Sequence, residues 1–296
     1  MKKLKIRTKR RIKRTTLTVI LGAFALMFLL PIVFTLASSF MSATEISANY
    51  GVVLGSARDG DYMSERVLLR FIPTMVTAWQ YVTVLFLTPE YLERFLFSIL
   101  LVVPIVFVQV FIATGAAYSF ARFRTKRKEI LFFAYVVLML MPFQVTLVPN
   151  FMMARWMGTI DTWWAIYLPG FFAPFSVFLL TKFMRRIPIP YVEAAKLDGA
   201  NEWQIFTRIF LPLCKGAIFA VVILVFIDYW NMVEQPLIML SDPDTHPLSV
   251  FLARVNAEEI GIAFAVSVLY LLPPLLLFLR GEQYLVEGIT HAGGVK

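Results

Sequence analysis

The stretch FLFSILLVVPIVFVQVFIATGAAYSF, residues 95–120, contains no Asp, Glu, Lys, Arg or His. A helix rises about 1.5 Å per residue, so about 20 apolar residues cross the hydrocarbon core of a bilayer. A single helix satisfies all its own backbone hydrogen bonds, which lipid requires. The stretch therefore predicts a membrane-spanning helix.

Similar apolar blocks recur along the 296 residues, of which 59% are apolar and only 16% charged. Soluble domains carry about 25% charged residues, so one soluble core does not account for this composition. We therefore predict an all-α integral membrane protein with six transmembrane helices. The predicted spans are residues 17–40, 95–120, 130–150, 163–184, 212–232 and 260–280.

The placement of basic residues predicts the orientation of these spans. With an inside N-terminus, the inside segments hold 22 of the 28 Lys and Arg residues and the outside segments hold six. Nine of the 28 precede residue 15, ahead of an apolar block too long for a signal-peptide core. Because loops rich in Lys and Arg stay in the cytoplasm, we expect both termini to be cytoplasmic in a multi-pass protein of a plasma or inner membrane.

This topology divides the chain into three predicted regions. Residues 1–16 form a cytoplasmic basic N-terminus, and residues 17–94 form the first span and an extracytoplasmic segment. Residues 95–296 form a core of five spans with a cytoplasmic loop at 185–212 and a cytoplasmic C-terminal tail. For residues 41–94, the mixed composition predicts no particular fold.

Several function classes lack their required residues. The single cysteine excludes a disulfide within the chain and a site built of several thiolates. The phosphate-binding pattern GxxxxGK[ST] is absent from the sequence, and the two histidines lie far apart. We expect no catalytic residue, no metal site and no cofactor, and therefore no enzyme. The net charge of +9 is concentrated at the N-terminus, which indicates a membrane surface rather than nucleic acid.

The most informative stretch outside the spans is RRIPIPYVEAAKLDGANEWQIFTRIFLP, residues 185–212. Pro190 suits the first position of a helix, and Gly199 can adopt the left-handed conformation that ends one. Asn201 followed by Gln204 predicts a capping box for a second helix running through Arg208. We expect Leu211-Pro212 to end that helix and open the fifth span.

The predicted helix–turn–helix offers surface to a partner protein. The second helix presents Trp203, Phe206 and Ile209, while the first presents the small residues Ala194 and Ala195. Two interpretations stay open on these local grounds. One is a docking element for another protein, and the other is an ordinary amphipathic loop at the membrane interface.

The same stretch resembles the cytoplasmic signature of permeases of binding-protein-dependent ABC importers. That signature is E-A-A, three residues, G, nine residues, I, one residue and L-P. Every fixed position and both spacings are present. The matching residues are Glu193, Ala194, Ala195, Gly199, Ile209, Leu211 and Pro212. The resemblance extends over about residues 95–296 and is greatest to the carbohydrate, maltose-type branch with six spans. Stretches 116–123, 142–149, 230–231, 236–238 and 283–296 resemble that branch as well.

The resemblance implies a sugar, oligosaccharide or polyol importer in which this chain forms half of the translocation pathway. Implied partners are a homologous second permease, two ATP-binding subunits and an extracytoplasmic solute-binding protein. ATP hydrolysis would occur in the partner ATPase, which would receive the loop. The implied coupling residues are Glu193, Ala194, Ala195, Asp198 and Gly199.

Polar residues inside spans are costly in lipid and are therefore candidates for pathway lining. Helix–helix hydrogen bonding is the alternative role for each of them. The selected candidates are Gln144, Asn150, Asp228 and Asn231. Alternative functions are an importer for glycerol phosphate or another non-sugar solute, an ion-driven secondary transporter, and a membrane receptor or scaffold. A secondary transporter predicts internal repeats and paired acidic residues at the midplane, which are absent from this sequence.

Overall fold

A computed structural model describes residues 2–54, 70–253 and 260–292, and these residues are almost entirely helical. The α-helices are α1 Lys2–Ser38, α2 Ala43–Leu54, α3 Trp79–Val82, α4 Pro89–Arg122, α5 Lys126–Met139, α6 Phe143–Trp156, α7 Trp164–Gly170, α8 Pro174–Met184, α9 Ile189–Leu197, α10 Glu202–Ile205, α11 Leu211–Leu213, α12 Lys215–Trp230, α13 Glu234–Met239, α14 Leu248–Leu252 and α15 Ile260–Ala292. Two π-helical turns, Thr83–Leu87 and Phe206–Phe210, and one 3₁₀ turn, Pro243–Thr245, complete the set. The all-α prediction is confirmed.

Within the described residues, four helical segments are long and apolar enough to cross a membrane, namely 14–38, 89–122, 164–184 and 262–284. Two further candidates are bent pairs. The chain bends by 102° between α5 and α6 and by 72° between the α10–α11 segment and α12. The number of candidate spans is therefore six when each bent pair is counted as one.

The third predicted span, 130–150, is a bent pair of helices. Helix α5 ends at Met139, and α6 begins at Phe143 after Pro142, whose backbone is extended. Proline restricts the residue before it to extended conformations and has no N–H for the preceding turn, so the chain changes direction there. The fourth predicted span also consists of two helices, α7 and α8, and Pro174 starts the second, but the segment 164–184 is one continuous candidate span.

The chain divides into two units by its contacts: residues 1–89 with 255–270, and residues 90–254 with 271–296. In the first unit, Met41, Ile46 and Tyr50 are buried and pack with Phe34 and Phe264. The ring of Phe34 lies 5.3 Å from that of Tyr50 and 5.9 Å from that of Phe264. Residues 41–94, for which the composition predicted no fold, thus supply helix α2 and part of this core.

In the second unit, α4 is a long helix of 34 residues. Its buried residues recur every three or four positions, including Leu101, Ile105 and Ala113, while Phe107 and Phe111 on the other face are exposed. Leu101 and Ile105 belong to a buried cluster with residues of α6, α7 and α13. This one-sided burial is typical of a spanning helix that packs on its neighbours along one face.

Helix α15 approaches α12 closely at Gly281. A Cβ atom at this position would lie 2.2 Å from a ring carbon of Phe219 and 2.5 Å from Ile223 Cδ1. The Phe219 ring also contacts that of Tyr284, at 5.2 Å between centroids. The absence of a side chain at Gly281 is therefore what permits this packing distance.

Candidate functional site

The site is a hairpin of two helical segments, residues 189–213, called here the α9–α10 hairpin. Helix α9 begins at Ile189 after Pro188, and Pro190 is its second residue. The first four N–H groups of a helix have no partner within it, so the missing donor of Pro190 costs nothing. The predicted first helix is confirmed, and it starts one residue earlier than expected.

Helix α9 ends in a complete Schellman motif. Gly199 has a φ of +81°, its N–H donates to the Lys196 carbonyl at 3.0 Å, and the Ala200 N–H donates to the Ala195 carbonyl at 2.9 Å. This pair of bonds satisfies carbonyls that the helix end leaves open. The prediction that Gly199 adopts the left-handed conformation is confirmed. The motif holds Ala195 and Ala200 close to each other at the turn.

The second helical segment begins with the predicted capping box. The Gln204 N–H donates to Asn201 Oδ1 at 2.8 Å, and the Asn201 N–H donates to Gln204 Oε1 at 2.9 Å. Only Ala200 separates Gly199 from this cap, so the turn between the two helices is short and hydrogen-bonded on both sides. A turn fixed in this way holds the two helices as one unit.

The predicted end of the second helix at Leu211-Pro212 is wrong. The helix passes through a π turn, Phe206–Phe210, and continues as α11 to Leu213, with the break at Cys214. Pro212 lacks the N–H that an α-helix would use, and a π turn directly before it accommodates that loss. Helix α12 thus begins at Lys215 after a bend of 72°.

The hairpin presents an exposed surface that includes most of the predicted coupling residues. Glu193, Ala194, Asp198 and Gly199 are exposed, and Ala195 is half-buried. A cleft of about 390 Å³ lies at the turn, and its lining includes Ala195, Asp198, Gly199, Ala200, Gln204, Arg208 and Ile209. Small side chains and backbone atoms around such a cleft allow another protein to approach closely.

Two large apolar side chains on the same hairpin are largely exposed. Leu197 is 89% exposed and Trp203 is 67% exposed. By contrast, Phe206 does not belong to this surface as the sequence suggested. Its ring lies 4.9 Å from that of Tyr118 on α4, and the Phe210 ring also lies 4.9 Å from the Tyr118 ring. The buried face of the hairpin therefore packs on the last turns of α4.

A carboxylate on the hairpin joins three helices. Glu202 Oε2 accepts a hydrogen bond from the Tyr118 hydroxyl at 2.7 Å, and Oε1 lies 3.0 Å from Lys196 Nζ and 3.4 Å from Arg122 Nη2. Tyr118 and Arg122 are on α4, and Lys196 is on α9. Partial burial works against ionisation, but the Tyr118 hydroxyl and the two cations outweigh it and lower the pKa of the Glu202 carboxyl.

A second ion pair lies near this end of α4 without contacting the hairpin. Arg185 Nη2 lies 2.7 Å from Glu129 Oε1, and the Arg185 guanidinium lies over the Phe132 ring at 4.6 Å. The same nitrogen donates to the Phe120 carbonyl at 3.2 Å. This pair therefore joins the segment after α8 to α5 and to the end of α4.

The four pathway candidates lie on two different helices. Gln144 and Asn150 are on α6, where Gln144 is exposed and Asn150 half-buried. Asp228 and Asn231 are exposed at the end of α12, and Asn231 Nδ2 donates to the Ile227 carbonyl at 2.8 Å. Their lining of a pathway stays a prediction.

A polar contact inside the spans joins a different pair of residues. Gln109 on α4 and Ser176 on α8 are both buried, and Gln109 Nε2 lies 2.7 Å from Ser176 Oγ. Hydrogen bonds of this kind hold neighbouring helices together in lipid. Gln109 therefore joins two helices by a hydrogen bond, which is the alternative to lining a pathway.

Sequence reasoning missed the residues around Glu202. The stretch 116–123 was singled out by its resemblance, and it contains both Tyr118 and Arg122. Nothing in the local pattern indicates that these residues meet Glu202, 84 and 80 positions away. Within the ranges the structure describes, no group of three His, Cys, Asp or Glu side chains is arranged to hold a metal ion.

Residues 109–290 match the family described as binding-protein-dependent transport system inner membrane component. The arabinooligosaccharides transport system permease protein AraQ of Halalkalibacterium halodurans is 26% identical over 266 residues, which are 88% of this chain and 95% of AraQ. The lactose transport system permease protein LacG of Rhizobium radiobacter is 31% identical over 62% of this chain and 68% of its own length.

The fold is similar to that of a solved structure. A chain from the crystal structure of a bacterial ABC transporter involved in the import of the acidic polysaccharide alginate aligns with a TM-score of 0.74 and 22% identity. The alignment covers 93% of this chain and 96% of that one. Together with the match over residues 109–290, these findings show that the chain belongs to the family of binding-protein-dependent transport system inner membrane components.

Proposed function

We propose that this chain is the permease subunit of an ATP-driven importer for a sugar, an oligosaccharide or a related polyol. The solute class is supported by the names of the two relatives, which transport arabinooligosaccharides and lactose. With a homologous second permease, the chain would form the translocation pathway. Two ATP-binding subunits would supply hydrolysis, and an extracytoplasmic binding protein would deliver the solute.

The α9–α10 hairpin faces the cytoplasm in this proposal, and so do both termini. The support is the concentration of Lys and Arg in segments 1–14, 121–129, 182–215 and 280–296. Helices α9 and α10 carry many polar residues and precede the long apolar helix α12, as expected for a loop outside the membrane. The ATPase subunits would meet the chain on this side.

Glu193, Ala194, Ala195, Asp198 and Gly199 are the proposed ATPase-coupling residues. The single observation that carries this assignment is that all five lie within residues 193–199, at the end of α9 and in the turn that follows it, with only Ala195 half-buried and the other four exposed. Glu193 would pair with a basic group of the ATPase. The small side chains would permit close packing, and the Schellman motif would keep the turn rigid under load.

In this mechanism, movement of the ATPase subunits drives movement of the spans. ATP binding closes the two ATPase subunits and displaces the hairpins that they hold, and the spans change from an inward-facing to an outward-facing arrangement. The chain itself binds no nucleotide in this scheme. A rigid hairpin suits the role because packed elements shift between discrete arrangements rather than deform continuously.

Glu193→Arg tests this proposal in the complex purified with its partner subunits and reconstituted in lipid vesicles. Hydrolysis and uptake are measured with the binding protein and with lactose, arabinooligosaccharides or glycerol 3-phosphate as probe. We expect partial assembly of the complex and a parallel loss of solute-stimulated hydrolysis and uptake. Glu282→Arg, a matched reversal at an exposed position outside the hairpin, should retain both activities.

Each outcome has a definite meaning. Normal stimulated hydrolysis and uptake in Glu193→Arg would remove Glu193 from the coupling site. Stimulation by glycerol 3-phosphate alone would assign the non-sugar alternative. A wild-type chain that brings no ATPase subunit through purification would contradict the importer proposal and favour an ion-driven transporter.

A further inference from the structure

Glu202 lies where the hairpin meets the long helix α4. We propose that its carboxylate is a positioning group that fastens the α9–α10 hairpin to α4, so that displacement of the hairpin moves α4 with it. This inference rests on the proposed function, because the displacement comes from the ATPase. It concerns how displacement of the hairpin is transmitted to the spans.

The attachment uses both oxygens of the carboxylate. Oε2 is held at 2.7 Å by the Tyr118 hydroxyl, and Oε1 is shared by Lys196 at 3.0 Å and Arg122 at 3.4 Å. Three donors from two other helices therefore converge on one side chain. Hydrogen bonds and ion pairs to a carboxylate are stronger than neutral ones, and a shared group couples its partners.

Aromatic packing beside Glu202 provides a second attachment to the same helix. Tyr118 is buried and contacts Phe206 and Phe210, each with ring centroids 4.9 Å apart. Ile205, which directly follows Gln204 of the capping box, is fully buried. The hydroxyl of Tyr118 thus bonds Glu202 while its ring holds the following turns of the same segment.

The hairpin is stiff enough to transmit a displacement. Lys196 directly follows Ala195, so the residue that bonds Glu202 is adjacent to a proposed ATPase contact. The Schellman motif and the capping box fix the turn that joins α9 to α10. A displacement of Glu193 or Ala194 would therefore be transmitted to Glu202 through one continuous helix and one hydrogen-bonded turn.

Helix α4 carries the displacement further. Ser98 lies twenty residues before Tyr118, which corresponds to about 30 Å along an α-helix. At that end, Ser98 Oγ accepts a hydrogen bond from the Leu248 N–H at 2.9 Å, at the start of α14. Movement of α4 would thus be felt at α14, on the opposite end of the second unit.

The Arg185–Glu129 pair is a matched control for this proposal. It is as close as the contacts of Glu202, at 2.7 Å, and lies near the same end of α4. It involves α5 and the segment after α8, not the hairpin. Replacing Glu129 by Gln therefore removes a comparable carboxylate without touching the attachment of the hairpin.

The direct test is an inter-label distance between the hairpin and the far end of α4. Spin labels at Ile189→Cys and Leu92→Cys, two exposed positions, are placed in a Cys214→Ala background of the full complex. Electron-spin distance measurements compare the nucleotide-free complex with the ATP–vanadate complex. We expect the distance to agree within about 2 Å between the two states, the size of ordinary helix shifts.

In Glu202→Gln, the distance should differ between the two states or its distribution should broaden, while Glu129→Gln should behave like the wild type. A wild-type distance that changes clearly between the states would overturn the proposal. So would Glu202→Gln samples with wild-type distances in both states. These outcomes do not depend on knowing the transported solute.

The functional test is the amount of solute imported per ATP hydrolysed, with whichever sugar stimulates the wild type. Severing the attachment should lower this ratio about tenfold in Glu202→Gln, a typical coupling strength. Glu202→Asp and Glu129→Gln should retain more of it. Tyr118→Phe, which keeps the ring packing, should lower the ratio in the same direction and combine non-additively with Glu202→Gln.

This readout separates the inference from the proposed function. Loss of ATPase docking, as in Glu193→Arg, lowers hydrolysis and uptake together and leaves their ratio unchanged. A broken attachment lowers uptake more than hydrolysis. An unchanged ratio in both Glu202→Gln and Tyr118→Phe would refute a positioning role for Glu202, even if both variants were less stable.

Discussion

The two ends of helix α4 are attached to the rest of the second unit by different kinds of contact. At one end, Tyr118 and Arg122 contact the side chain of Glu202. At the other end, Arg94 Nη1 donates to the Pro243 carbonyl at 2.6 Å, and Ser98 Oγ accepts from the Leu248 N–H. The ion pairs and the shortest hydrogen bond at the hairpin end thus join side chains, whereas the shortest hydrogen bonds at the α14 end run from side chains to backbone groups.

This difference decides how each end responds to change. Side-chain pairs between a carboxylate and its donors vary with charge state and are lost by single substitutions at either partner. Bonds to backbone groups do not depend on which side chain the partner residue carries. The end that we propose to transmit motion is therefore the more sensitive to pH and charge, and the α14 end is the more permanent.

The largest expected effect at the α14 end comes from Ser98→Ala. Ser98 is 1% exposed, and its loss leaves the Leu248 N–H buried without this acceptor. An unsatisfied buried group costs about 2 kcal/mol of unfolding free energy. The measurement is thermal unfolding of the purified chain in detergent. Ser98→Thr keeps the hydroxyl as a control, and equal stability of both variants with the wild type would show that this bond contributes nothing.

A smaller effect is expected from pH at the hairpin end. The lowered pKa of Glu202 means that folding favours its ionised form, which contributes stability above the ordinary glutamate pKa of 4.5. That contribution is lost as the pH falls through the lowered folded-state pKa. Thermal unfolding of the wild type and of Glu202→Gln between pH 7 and about pH 3 should therefore differ above pH 4.5 and converge below it. A constant difference across this range would contradict the assignment.

The smallest effect is expected from Asp244→Asn at the α14 end. Its carboxylate lies 3.4 Å from Arg94 Nη2, but the Asp244 side chain is 89% exposed. Exposed pairs of this kind contribute at most about 1 kcal/mol and commonly nothing measurable. Thermal unfolding should change little, because Arg94 keeps its bond to the Pro243 carbonyl. A loss as large as that of Ser98→Ala would mean that this end also depends on a charge pair.

Local chemistry was sufficient to predict the hairpin. Its caps involve residues within six positions of one another, and each uses a residue type suited to the required backbone conformation. Gly199 at positive φ and the Asn201–Gln204 capping box are examples. The end of the second segment was not predictable in this way. The π turn precedes Pro212, and Phe206 and Phe210 within it pack on Tyr118, a contact that a local pattern does not include.

The course of the third span was only partly predictable. Proline is compatible with a modest kink as well as with a full change of direction. The structure shows a bend of 102° between α5 and α6. Residues such as Ala154 on α6 are buried in a cluster with α4, α7 and α13, and this packing holds the second piece in its position.

The sequence by itself determined that the chain lies in a membrane, that it is helical, and that its hairpin has local caps. Apolar run length, charge placement and capping all act within about twenty residues. Tertiary structure alone decided which helix the hairpin is attached to and through which atoms. Glu202 could have remained a solvated carboxylate, since nothing near it in sequence shows that Tyr118 and Arg122 lie within reach. The packing of α4 brings those donors to it, and the energy of a carboxylate contact depends on distances that only the folded chain sets.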